Sequence, residues 1–471
     1  MLTQGEIWPH SSQKVAKKRM IKRNYEMAAN QPVLILLISL TLSLLSCSDT
    51  PQRQLPSPDY TEDFEYIVST LSSVHPSLVD GWSEEQNDLI ENIKTQLSHV
   101  EDDADFVSLV SPLFLSFNDA HTGFGYSWTG SNPGTKLPLI WLNEGLFVFE
   151  KWAGFEAGDE IIKIRQMKTE RILEILSEQY ISRENDYWLR ARATSFAFHR
   201  FFIDEYSLVK NDVIPVTVMR NGRRMRVDVS PNVGGPGAWY NRYSNYKTEV
   251  YIESDLTYFR MDTCRPDSSF NATLKRLFTR IKEDNIGKLA IDLRYNSGGN
   301  SAIIYELMRY FEQEEFVFFG TDVRGSPEAS SQRQGFPDHG FSQFPPQVKQ
   351  SPIEEKYTDL IFRGDLYILT SNYTFSSGNW IATVFQDNGL GKIVGEPTGN
   401  APSSFGDILS FRCPSSLLSF TVSCKQFVRP ISDEGVPADA LYPDLPIPLR
   451  LEDIINERDA ALEAIMALPS S

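Results

Sequence analysis

Residues 371–380 read SNYTFSSGNW and set two adjacent hydroxyls, Ser376 and Ser377, between the apolar run DLYILT and an amphipathic helical pattern. A serine at a helix start feels the positive end of the helix dipole, which favours an alkoxide and a developing oxyanion. The same place suits a helix cap, and Thr374 offers a third hydroxyl for that duty. Upstream, KLAIDLRYNSGGNSAII ends another apolar run in Asn296-Ser297-Gly298-Gly299. Glycines there let the backbone turn sharply and present bare N–H groups to a ligand; a tight strand-to-helix turn is their plainer use. A serine hydroxyl is a weak nucleophile until a base takes its proton, so the chemistry turns on which base the fold brings.

The elements that must position these residues alternate. From about Tyr251, TYFRMD reads as a strand, SSFNATLKRLFTRIKEDN as a helix and KLAIDLR as a strand, with NSAIIYELMRYFEQ the next helix. DLYILT, SSGNWIATVFQDNG and KIVGE repeat strand, helix and strand. Such alternation predicts an α/β core with a largely parallel sheet, and places both turns at its carboxyl edge, where α/β sites collect. Residues 321–353, rich in Gly, Pro, Ser and Gln, read as a long surface loop. Before the core, residues 59–117 carry apolar positions at three- and four-residue spacing, a helical segment ending at FNDAHTGFGYSW. A strand-richer segment follows and closes with the hairpin VIPVTVMRNGRRMRVDVS, whose Asn221-Gly222 is a two-residue turn signal. Gly-rich PNVGGPGAW marks the next boundary.

A chain of 471 residues is too long for one hydrophobic core, and 41% apolar content argues against a polytopic membrane protein. The formal charge of −17 argues against binding a nucleic-acid phosphate backbone. Basic residues Lys14, Lys17, Lys18, Arg19, Lys22 and Arg23 precede the apolar run VLILLISLTLSLL, which is too short to span a bilayer. A run ending in LLSC resembles a bacterial lipoprotein signal. That resemblance implies cleavage before Cys47, lipid on its thiol, a tether over 47–58, and a cell-envelope location; an ordinary signal peptide or uncleaved anchor is the alternative. Cys413 and Cys424 flank a hairpin, so a cross-strand disulfide and two buried thiols are both open. No paired Cys/His spacing suggests zinc, and no metal or organic cofactor is implied.

Taken together, LAIDLRYNSGG, YILTSNYTFSSGNWIATVFQDNGLGKIVGEPTG, DAHTGF upstream and DEGVPADALYPD downstream resemble peptidase family S41, the tail-specific or C-terminal processing proteases. Between them, AGDEIIKIRQMKTERILEIL is similar to a diverged PDZ domain, with Gly154-Phe155 the remnant of a carboxylate-binding loop. The resemblance implies a ClpP/crotonase-like α/β catalytic core over 233–471. It also implies an N-terminal helical domain over 59–130 and an inserted PDZ-like domain over 131–232; the lipoprotein-like signal peptide covers 1–46. It implies Ser376 as nucleophile, with an oxyanion hole from the N–H groups of Ser377 and of Gly298 or Gly299.

Many members use a lysine shortly after GEPT; Ala401 stands there instead, leaving Lys425 as the lysine that would have to fold back. The chain is nearer the tricorn-core-like branch, whose base is a histidine before the PDZ-like region, here His121. That branch has a serine where this chain has Ala120. An acid in DEGVPAD would orient the imidazole, Glu434 first and Asp433 second, while Asp439 matches a terminal motif that shapes the fold. His75, at a helix end before Pro76, is expected to be structural. The function implied is hydrolysis of peptide bonds in a peptide or protein substrate, through an acyl-enzyme on Ser376. The alternatives are a catalytically inactive peptide- or ligand-binding lipoprotein and, on the same scaffold, an acyl-thioester lyase. Oligomeric state stays open.

Overall fold

The apolar runs KLAIDLR and DLYILT form neighbouring parallel strands, Lys288–Asp292 and Asp365–Thr370, with Asp292 opposite Leu369. Strands Leu256–Met261, Lys392–Gly395 and Leu445–Pro446 extend the parallel sheet, and Tyr246–Tyr251 closes one edge antiparallel. Side chains alternate between the two faces of a strand. Leu289, Ile291, Leu366 and Ile368 pack against Phe270 and Leu277 of helix Ser268–Asp284 and against Ile381 and Phe385 of helix Ser377–Asp387. Ala290, Tyr367 and Leu369 pack against Ala461, Leu462 and Ile465 of helix Ala460–Ala467. Both faces are covered, which is why these strands read as unbroken apolar runs rather than alternating ones.

The computed structural model describes residues 58–125, 136–232, 234–235, 246–432, 435 and 437–470, all within one unit, Ser57–Ser471. Cys47, Asp433 and Glu434 lie outside the described residues.

A second sheet is antiparallel and centred on Ser419–Val428, which pairs with Ser404–Arg412, with Gly320–Arg324 and with Gly123–Phe124. Its inner face joins Phe411, Phe420 and Val422 to Phe64 and Ile67 of helix Tyr60–Val74 and to Phe106 and Phe114 of helix Asp103–Leu115. The stretch expected to be a helical domain therefore closes its core on this sheet, not on itself. Helix Glu84–Gln96, which buries only Ile90 and Ile93, could not supply the missing face.

The expected loop over 321–353 is structured. It holds most of strand Gly320–Arg324, a short helix Pro327–Gln332 capped by Ser326, and strands Phe341–Phe344 and Gln347–Gln350. The last two are largely exposed, so they carry no apolar alternation to read. Cys413 and Cys424 are free, buried thiols. Cys413 lies past the end of its strand, while Cys424 Sγ faces the Asp407 carbonyl at 2.8 Å.

Between the two halves of the chain, five antiparallel strands run in the order Leu139–Leu142, Gly145–Val148, Glu160–Ile164, Ile214–Arg220, Arg223–Val229, with Met167–Lys168 beside the third. Helices Thr169–Gln179 and Asp186–Phe196 close their core. Asn221 and Gly222 both take positive φ, as the two-residue hairpin turn requires.

Candidate active site

Ser376 is the residue before helix Ser377–Asp387, and its φ of 51° with ψ of −129° is a conformation that side-chain-bearing residues rarely adopt. Such a backbone costs about 1–3 kcal/mol and persists only where its surroundings over-determine it. They do so here. Thr374 Oγ1 accepts from Ser371 N–H at 2.9 Å and donates to the Leu293 carbonyl at 2.9 Å. Phe375 N–H donates to the Asn296 carbonyl, and Ser376 N–H to Asn400 Oδ1 at 2.9 Å. Ser377 Oγ donates to the Gly299 carbonyl at 2.9 Å. The neighbouring hydroxyls are thus spent on structure, whereas the Ser376 side chain makes no capping bond and no hydrogen bond to any described residue.

The Asn296–Gly299 turn lies against this serine. A Cβ on Gly298 would sit 2.6 Å from Ser376 Cβ and 3.0 Å from Ser377 N, so only glycine fits there, and its φ of 101° agrees. Asn296 anchors the turn by donating from Nδ2 to the Met261 carbonyl at 2.9 Å and accepting the Gly298 N–H on Oδ1 at 2.8 Å. That bond occupies Gly298. The N–H groups of Gly299 and Ser377 have no acceptor among the described residues, so of the two glycines offered by the sequence, Gly299 is the one with a donor to spare.

His121 sits in a turn closed by Asp119, whose Oδ1 accepts the His121 N–H at 2.8 Å. Thr421 Oγ1 donates to the His121 carbonyl at 2.8 Å and ties the turn to the second sheet. The Asp119 carboxylate is fully buried and also receives Ser423 Oγ at 2.7 Å and His75 Nε2 at 3.3 Å. Burial alone would raise its pKa, but His121 and His75 hold the carboxyl far below the usual range, so it stays ionised. His121 Nδ1 lies 3.6 Å from Asp119 Oδ1, beyond hydrogen-bond length, and both ring nitrogens are buried without a hydrogen-bond partner. The ring itself packs on Phe375, 4.7 Å between centroids. His121 is therefore held against the residue before Ser376, and no hydrogen bond joins the two candidate residues.

Sequence reasoning missed Glu184. Its Oε1 accepts the Ala120 N–H at 3.3 Å, and its carboxyl comes within 4.8 Å of the Asp119 and His121 ligand atoms. Burial first, and then the Asp119 charge, push the Glu184 carboxyl up to about 7. Nothing in the stretch SREND distinguishes this glutamate; only the fold brings it to the histidine turn. The three groups are of a kind that holds divalent cations, although both Asp119 oxygens already accept protein donors.

The other sequence-derived candidates are placed as follows. Lys425 Nζ pairs with Asp407 at 2.7 Å and lies over the Phe336 ring, which leaves it committed away from Ser376. Ala401 is buried and its carbonyl accepts from Asn379. The Asp439 carbonyl accepts from Asn185 Nδ2 at 2.7 Å, and its exposed side chain meets Tyr442. His75 is buried, with Nδ1 on Ser77 Oγ at 2.7 Å.

A cavity of about 410 Å³ opens beside the imidazole, lined by His121, Phe124, Tyr180, Trp188, Arg192 and Phe196 among others. Trp188 stacks on Phe375 with centroids 4.0 Å apart, so the cavity wall and the residue preceding Ser376 are in direct contact.

Residues 255–425 match the model of peptidase family S41. Among solved structures, the chain is similar to mature CPAF complexed with lactacystin, with a TM-score of 0.64 and 13% identity over 86% of this chain and 96% of that one. It is similar to mature CPAF without that ligand at a TM-score of 0.62, again 13% identical, over 86% and 95% of the two chains. At such identity the likeness is one of fold.

Proposed function

We propose that this chain, whose residues 255–425 match the model of peptidase family S41, hydrolyses peptide bonds through an acyl-enzyme on Ser376, with His121 as general base. The observation that carries this reading is Ser376 itself. Held in a strained conformation at a helix N-terminus, its hydroxyl makes no hydrogen bond to any described residue, while the flanking Thr374 and Ser377 hydroxyls are engaged.

In the first step His121 takes the Ser376 proton as Oγ attacks the scissile carbonyl carbon. The oxyanion forms against the N–H groups of Gly299 and Ser377. Collapse breaks the C–N bond, and the imidazolium returns the proton to the leaving amine. Water, deprotonated by His121, then cleaves the ester and releases the new carboxylate with Ser376 restored. The ionised Asp119 carboxylate stabilises the imidazolium, and Glu184 braces the turn through Ala120 N–H. Glu434 is retained as the acid expected to orient His121. Ala401 and the Lys425–Asp407 pair favour the histidine-based, tricorn-core-like branch over the lysine-based one.

Labelling with a fluorophosphonate probe, mapped by mass spectrometry, tests the reading. Label on Ser376, absent from Ser376→Ala and from His121→Ala, is expected. A second reading, an inactive binding protein on the same scaffold, is favoured by the missing Ser376–His121 hydrogen bond; folded protein that takes no label would establish it. The proposal extends to a PDZ-like role for residues 131–232 in gating peptide termini by strand addition. It also extends to a lipid on Cys47 anchoring the protein in the cell envelope, tested by fatty-acid labelling of wild type against Cys47→Ser.

A further inference from the structure

The cavity beside His121 contains one permanently charged side chain among its described lining residues, Arg192. Arg192 stands one helical turn beyond Trp188 on helix Asp186–Phe196, with its guanidinium carbon 5.6 Å from the ring centroids of both Trp188 and Phe196. It makes no ion pair and no hydrogen bond to any described residue. That is unusual company for an arginine in a chain of net charge −17, where carboxylates outnumber cations. Elsewhere Arg220, Arg294 and Arg429 hold aspartates, while part-buried Arg324 donates to the His75 and Ser72 carbonyls. Aromatic faces position a guanidinium and shield it from water without neutralising it, which leaves its donors for an incoming anion.

The backbone of the cavity wall points to a peptide as the carrier of that anion. Gly123, Phe124 and Gly125 all line it, and Gly123–Phe124 is the terminal strand in the order of its sheet. An extended peptide added to such an edge alternates its side chains, sending one toward the cavity. The cavity wall reaches toward the serine through Trp188, whose ring stacks on Phe375, the residue before Ser376.

We propose that this cavity selects an acidic side chain of the substrate by pairing its carboxylate with Arg192. The proposal deepens the peptidase reading by naming the substrate class of that site, and its test is chosen to stand apart from the chemistry. Binding of fluorescein-labelled octapeptide positional libraries to Ser376→Ala protein is measured by anisotropy, which needs no activated serine. Each position carries Asp or Glu against Asn or Gln, with free and amidated C-termini as separate arms.

A charged hydrogen bond of this kind predicts at least about ten-fold tighter binding of the carboxylate form. The preference should collapse in Arg192→Gln and survive in part in Arg192→Lys, with thermal unfolding confirming that both variants are folded. Equal binding of acid and amide, no binding of either, or a preference that persists in Arg192→Gln overturns the proposal. A preference confined to the comparison of free with amidated C-termini also overturns it. Fluorophosphonate labelling of wild-type protein decides the serine reading separately.

Discussion

The His121 ring rests on Phe375, 4.7 Å between centroids, and Trp188 stacks on the same phenyl ring at 4.0 Å. The candidate base and the candidate nucleophile are thereby registered through one side chain that itself does no chemistry. Replacing Phe375 with leucine keeps an apolar group but removes the flat surface that orients both rings. We expect labelling of Ser376 to slow on the order of 10- to 100-fold, the scale of an ångström-sized misplacement. Thermal unfolding should report a loss of only about 1–3 kcal/mol. Full-rate labelling of a folded Phe375→Leu protein would show that the imidazole is held by other means.

Gly298 makes a sharper prediction. An alanine there would drive its Cβ into Ser376 and strain a φ of 101°, although the Gly298 N–H is already bound to Asn296 and contributes no oxyanion donor. Gly298→Ala should fold with reduced stability and lose at least about 100-fold in labelling rate, because the turn carrying Gly299 must move off the serine. A labelling rate equal to wild type would mean that the turn plays no part in the site.

Lys425 provides the contrast. Its ammonium is paired with Asp407 at a partly exposed position, so Lys425→Met should cost no more than about 1 kcal/mol by denaturant unfolding. Serine labelling should be unaffected. Loss of label in this variant, with His121→Ala still labelled, would transfer the role of base to lysine.

Much of the fold that carries this candidate site is legible in the sequence, and the reason is burial. Strands such as Asp365–Thr370 are covered on both faces, so they appear as apolar runs, and the turns at their carboxyl ends are conspicuous by their polar residues. The hairpin at Asn221-Gly222 was legible because its turn demands two positive φ values, which few residue pairs tolerate. Strands Phe341–Phe344 and Gln347–Gln350 were not, since they are largely exposed and no packing constrains their composition. Which glycine keeps a free N–H depends on where the Asn296 amide points, a matter of tertiary geometry. Glu184 reaches the histidine turn from a helix approach far along the chain, so no local spacing announces it.

Glu184 also makes stability depend on pH in a direction opposite to the usual paired carboxylate. Its carboxyl is raised from 4.5 to about 7, chiefly by burial and then by the Asp119 charge; its Oε2 is buried and unpartnered, although the residue as a whole is half-buried. Between about pH 4.5 and 7 the folded state therefore holds a proton that the unfolded state has released, and stability falls as pH rises through that window. Above pH 7 both states are ionised and the penalty is constant, on the order of 3 kcal/mol. Asp119 has the opposite sign and a separate window: its stabilisation is complete above its ordinary value and is lost as pH falls below it. Glu396, also raised to about 7 by burial, is present in wild type and variant alike and cancels in their difference. Glu184→Gln should thus gain stability relative to wild type progressively from pH 4.5 to 7 and no further beyond. Urea unfolding of both proteins across pH 4–9 reads this directly, and a stability difference that does not change with pH would show that the Glu184 carboxyl titrates as it does in water.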